Sequence, residues 1–156
     1  MNKFIFVFFS FFFISCSANE SLIDPINPEL ETMTFDVVEK KLLVKKDLPE
    51  YIQRLLSKWF DDKVKVNGFD GQLTFKISDY TQKTTLISDG KRVDISLTFN
   101  LVITKPTMSQ KKFIQGTVSS YGTLSGDFSL SDFDTVIQNT QTDLISRLSR
   151  DLQSKV

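Results

Sequence analysis

The chain has 156 residues, with 19 Lys and Arg against 19 Asp and Glu, no histidine and a single cysteine, Cys16. Balanced charge argues against a general nucleic-acid binder. Without histidine and with one thiol, the residues for Ser/His/Asp or Cys/His hydrolysis, for a zinc site and for a disulfide within a monomer are missing.

In chain order, Met1-Asn2-Lys3 supplies a short positive start, and Phe4 to Ile14 is apolar apart from Ser10. A membrane span needs about 20 apolar residues, so this run reads as the h-region of a secretory signal. Small Ser15 precedes Cys16, and Phe13-Ile14-Ser15-Cys16 resembles a lipobox. That resemblance implies cleavage after residue 15 and a lipidated Cys16 as the new N-terminus, carrying acyl chains that hold the protein at a membrane. Ser17, rather than Asp, follows the cysteine and points to the outer membrane, facing the periplasm, with inner-membrane anchoring as the alternative.

Residues 16–32 are polar and contain Pro25 and Pro28, which predicts an acylated, flexible tether. A single α+β periplasmic domain is expected over 33–156. Phe35 and Val37 alternate with Thr34 and Asp36 as in a strand, and Leu42-Leu43-Val44 forms a short apolar piece between paired lysines. Asp47-Leu48-Pro49-Glu50 has the spacing of a capping box, predicting a helix over 48–63. Its apolar face is Leu48, Ile52, Leu55, Leu56 and Trp59; Phe60 lies about 100° round the helix, at the rim.

Three antiparallel strands are predicted between 72 and 124. Leu73, Phe75 and Ile77 alternate, and the phase shifts at Tyr80, as a bulge would produce. Asp89-Gly90 predicts a tight hairpin with left-handed residues. Val93, Ile95, Leu97, Phe99, Leu101 and Ile103 keep strict alternation, which requires one buried and one wet face. Ser131 and Asp134 fit a capping box for a final helix over 132–153 with an apolar stripe through Leu152, weakened at Thr140 and Gln141. The expected architecture is a mostly antiparallel sheet, in the order strand, helix, three strands, helix, with two helices packed on one face.

Chemistry-bearing groups are few. Asp61-Asp62 and Asp132 with Asp134 have the spacing of capping or solvated acids, so no catalytic or metal site and no cofactor is expected. Lys91 and Arg92 follow the hairpin turn, while Lys111 and Lys112, near Lys105, open the next strand at the other sheet end. Both pairs are candidate contacts for lipid phosphate. The competing reading is that lysines guard exposed strand edges.

Taken with the lipobox, the order of elements, the strand ending in Leu86-Ile87, the Asp89-Gly90 turn and the apolar last helix, residues 34–152 resemble the small envelope lipoproteins typified by the lipopolysaccharide-assembly lipoprotein LptE. The resemblance implies a non-catalytic accessory in outer-membrane biogenesis or lipid transport. It also implies an outer-membrane barrel as partner, and basic residues near the hairpin that meet the lipid. The alternative is a structural or protein-binding envelope lipoprotein with no lipid ligand.

Overall fold

The computed structural model describes residues 30–106 and 111–156. The signal, Cys16 and the tether up to residue 29 lie outside the described residues. Eight elements follow in order: β1 (Met33–Phe35), β2 (Glu39–Leu43), α1 (Glu50–Lys63), β3 (Val64–Val66), β4 (Gln72–Ile87), β5 (Gly90–Thr104), β6 (Lys112–Ser125) and α2 (Leu130–Gln153).

The fold is α+β, and the main sheet is mostly antiparallel, as expected, with one parallel pairing that makes it mixed. Four strands lie in the order β2-β4-β5-β6, and β2 runs parallel to β4. The two remaining strands, β1 and β3, form their own parallel pair. Both parallel pairings have one cause. The chain leaves β2, makes α1 and returns through β3 into β4, and a crossover containing a helix brings the next strand back parallel. Leu30, three residues before the expected domain start, is already buried in the core.

The strict alternation of β5 is realised in full. Val93, Ile95, Leu97, Phe99, Leu101 and Ile103 all face the helices and are buried. At about 1.5–3 kcal/mol for each large apolar side chain removed from water, this face drives much of the sheet's docking. Trp59 of α1, Phe75 of β4 and Phe99 of β5 form an aromatic line through the core, with centroids 5.3 Å apart at each step. Phe60 is buried as well, 6.1 Å from Phe75.

The phase shift in β4 is a register irregularity between Ile77 and Asp79. Ser78 donates its hydroxyl to the Thr98 carbonyl there. Beyond it Tyr80 takes over the helix-facing side, where Gln141 of α2 donates to the phenolic oxygen. Thr140 and Gln141, which interrupt the apolar stripe, are buried because each has a partner: Thr140 donates to the Val136 carbonyl. At Gly116 an added Cβ would lie 2.7 Å from both the Phe99 ring and the Asp151 carboxylate, so glycine lets α2 approach β6 closely.

Three local expectations are corrected. Helix α1 has Pro49 at its N-cap and no side-chain cap bond, so Asp47 sits two residues too early to cap it. Gln53 instead donates its side-chain amide to the Leu48 carbonyl. Helix α2 starts two residues earlier than expected, with Ser129 and Asp132 forming the capping box rather than Ser131 and Asp134. In the β4–β5 hairpin the turn residues are Ser88 and Asp89, and Gly90 alone takes a positive φ, of 138°.

Candidate functional site

The hairpin end of the sheet brings Lys91 and Arg92 among aromatic rings. Antiparallel pairing sets Lys91 opposite Leu124 and Arg92 opposite Thr123, which carries both toward the β6–α2 connection. The Lys91 ammonium lies 5.3 Å from the ring centroids of both Phe128 and Phe133. Arg92 donates to Asp94 at 2.7 and 2.8 Å and lies 4.3 Å over Tyr121. The bond to Asp94 raises the Arg92 pKa above its ordinary value. Both cations remain only partly covered, so each has a free side, while its rings fix its direction.

Lys111 and Lys112 are exposed at the other end, where Lys112 pairs with Ile103. Twelve residues of β5 separate Ile103 from Lys91, about 40 Å at the strand rise. The two candidate clusters therefore cannot share one ligand headgroup. Lys105 lies at this same sheet end, as expected, and its ammonium pairs with the carboxylate of Asp36, with Asp70 at 3.8 Å. Asp36 raises the Lys105 pKa accordingly.

One cation with a defined role was not legible in the sequence. Lys40, in β2, donates to the carbonyls of Phe60 and Val64 at 3.0 and 2.7 Å and lies 4.9 Å over the Phe60 ring. It sits at the C-terminal end of α1, adding a bond to the Phe60 carbonyl that the Val64 amide already engages, where the helix dipole favours positive charge. No spacing rule links a strand lysine to a helix end twenty residues on.

The acids are absorbed locally. Asp132 caps α2, and hydrogen bonds from the Ser129 backbone and hydroxyl lower its pKa. Asp61 lies 3.6 Å from Lys40, and Asp62 accepts from Lys58. Among the described residues, no group of three or more His, Cys, Asp or Glu could hold a metal, and no helix is long and apolar enough to cross a membrane. Two shallow grooves flank the helices. One, of about 340 Å³, is lined by Lys40, Leu42, Val44, Ser57, Phe60 and Asp61. The other, of about 260 Å³, lies between β6 and α2 and contains Asp143.

Burial acts to raise the Asp143 pKa, but hydrogen bonds from Ser120 and Arg147 and the charges of Arg147 and Arg150 outweigh it and hold the carboxylate below its ordinary value of 3.8. A lowered carboxylate pKa adds stability above the unfolded value, and that stability is lost as pH falls through the folded one. Asp143→Asn should therefore lower the melting temperature near neutral pH and narrow its gap from the parent as pH drops below about 4. Melting curves across that range test it; a constant gap contradicts it.

No protein-family model and no curated protein sequence matches the chain. Among solved structures it is similar to a minor lipoprotein from Acinetobacter baumannii, at 12% identity and a TM-score of 0.46, over 76% of this chain and 94% of that one. Rare lipoprotein B from Shewanella oneidensis is similar at 7% identity and a TM-score of 0.46, over 76% and 96% of the two chains. Lipoprotein B from Nitrosomonas europaea follows at 10% and 0.42, over 78% and 86%. At these scores the function has to be argued from the chain's own residues.

Proposed function

We propose that this chain is a lipid-anchored envelope lipoprotein whose domain serves as a non-catalytic accessory in outer-membrane biogenesis or lipid transport. The observation that carries the reading is Cys16 placed directly after an apolar h-region and small Ser15. Lys91 and Arg92, held by rings at one sheet end with a side left open, supply a place for an anionic lipid headgroup. The Arg92–Asp94 pair favours a second reading, a protein-binding lipoprotein with no lipid ligand, because the guanidinium already has a carboxylate partner.

Cross-linking in cells followed by affinity capture tests the accessory role. Recovery of an outer-membrane barrel or a lipid-transport protein supports it, and efficient cross-linking to neither contradicts it. The lipid contact has its own test. Charge reversal, Lys91→Glu with Arg92→Glu, should weaken binding to dispersed lipopolysaccharide, a lipid ligand rather than a bilayer surface, at low salt. It should shift the melting temperature by only a few degrees, since exposed ion pairs contribute about 0–1 kcal/mol. Unchanged binding would favour the protein-binding reading.

A further inference from the structure

We propose that the end of the domain carrying Phe69 rests against the bilayer, with Phe69 at the lipid–water interface and Lys111 and Lys112 at headgroup level. This orientation rests on the lipid-anchor reading above.

Phe69 is 99% exposed, the most exposed of the described large apolar residues. Its loop is nevertheless fastened on both sides. Asn67 and Gly68 donate their backbone amides to the Phe35 and Val37 carbonyls at 3.1 and 3.0 Å, and Val38 donates to the Asp70 carbonyl at 3.2 Å. A Cβ at Gly68 would lie 2.4 Å from the Val37 nitrogen, so the loop is packed directly on that segment. An aromatic ring held outward on a fastened loop gives up about 1.5–3 kcal/mol of burial, which an interfacial position restores in part. Val38, beside it, is 52% exposed, and Phe113, next to Lys112, is 57% exposed. Of the carboxylates at this end, Asp36 and Asp70 face Lys105, which reduces their repulsion of an anionic surface, and Glu39 accepts from the Gln72 side-chain amide.

The point where the chain enters the domain selects this end over the other. The Leu30 carbonyl accepts from Lys63 at the end of α1, and the Glu31 carbonyl accepts from Gln153 at the end of α2. Six residues after Leu30, Asp36 meets Lys105 just past the end of β5. Taken as the tether that its sequence predicts, the fourteen-residue stretch 16–29 corresponds to a root-mean-square reach of roughly 20 Å. The opposite end, with its Ser88–Asp89 turn, lies about 50 Å away along β5. A lipid anchor joined by such a tether brings the Phe69 end to the surface first.

Tryptophan placed at each end reports the orientation. The full-length acylated protein, as Phe69→Trp or Leu86→Trp, would be reconstituted into phosphatidylcholine–phosphatidylglycerol vesicles with brominated acyl chains. Trp59 is fully buried and gives both variants the same background. Leu86 is 78% exposed near the far turn, so it serves as the distal control. The expected result is blue-shifted, quenched emission from Phe69→Trp and none of that change from Leu86→Trp. Adding Lys111→Glu and Lys112→Glu to Phe69→Trp should reduce the quenching. Protein that floats with the vesicles while Phe69→Trp stays unquenched overturns the orientation alone. Protein that neither carries acyl mass nor floats overturns the anchor reading and the orientation with it.

Discussion

Leu97→Asp is expected to abolish cooperative folding, whereas Thr98→Asp, one residue along the same strand, should fold with nearly unchanged stability. Leu97 is 1% exposed and faces the helices, so its replacement puts a carboxylate among apolar side chains with no cation to meet it. An unpaired buried charge costs several kcal/mol after the group shifts its pKa, and a domain of this size has about 5–15 kcal/mol in total. Thr98 points to the wet face and shares a hydroxyl bond with Thr117 at 2.9 Å. Losing that bond costs about 0.5–1.5 kcal/mol. Denaturant unfolding followed by circular dichroism separates the two; equal tolerance would mean that the register of β5 is wrong.

Gly90→Ala should destabilise the domain by about 2–4 kcal/mol, far more than an exposed glycine replacement ordinarily does. At φ 138° an L side chain is strained, and here there is no space for one: an added Cβ would lie 1.8 Å from the Leu124 carbonyl oxygen. That oxygen belongs to β6 backbone already paired with β5, so relief requires the two strands to part. Gly126→Ala is the control. Gly126 also has a positive φ, of 72°, but nothing lies within 4 Å of its added Cβ, so only the left-handed penalty of about 1–2 kcal/mol applies. Comparable losses at both positions would contradict the close contact at Gly90.

How legible each element was follows from how many residues carried its pattern. Six apolar residues in alternation fixed the buried face of β5, and the shift at Tyr80 located the bulge, because both are repeated over several turns of the pleat. The three-residue strands β1 and β3 hold barely one period each, and their pairing joins Met33 to Val64, thirty-one residues apart. Nothing local distinguishes such a pair from loop. The start of α2 shows a different difficulty: Ser129 with Asp132 and Ser131 with Asp134 have the same spacing, and only the three-dimensional path of the chain out of β6 selects the first.

The candidate site was legible in position and not in company. A turn before Lys91 and Arg92 placed them at a sheet end, and the strand opening placed Lys111 and Lys112 at the other. The rings that engage the first pair, Tyr121, Phe128 and Phe133, come from β6, its connection and α2, so only the tertiary fold assembles them. Lys105 shows the same dependence, since its partner Asp36 lies sixty-nine residues earlier.

The most direct measurement for the whole account is the intact mass of the mature protein purified from bacterial membranes, alongside Cys16→Ala. A chain that begins at Cys16, bears acyl chains on its sulfur and amino nitrogen and partitions into detergent is the predicted result, with Cys16→Ala neither cleaved after residue 15 nor acylated. An unlipidated mature chain, or one still carrying residues 1–15, would contradict it.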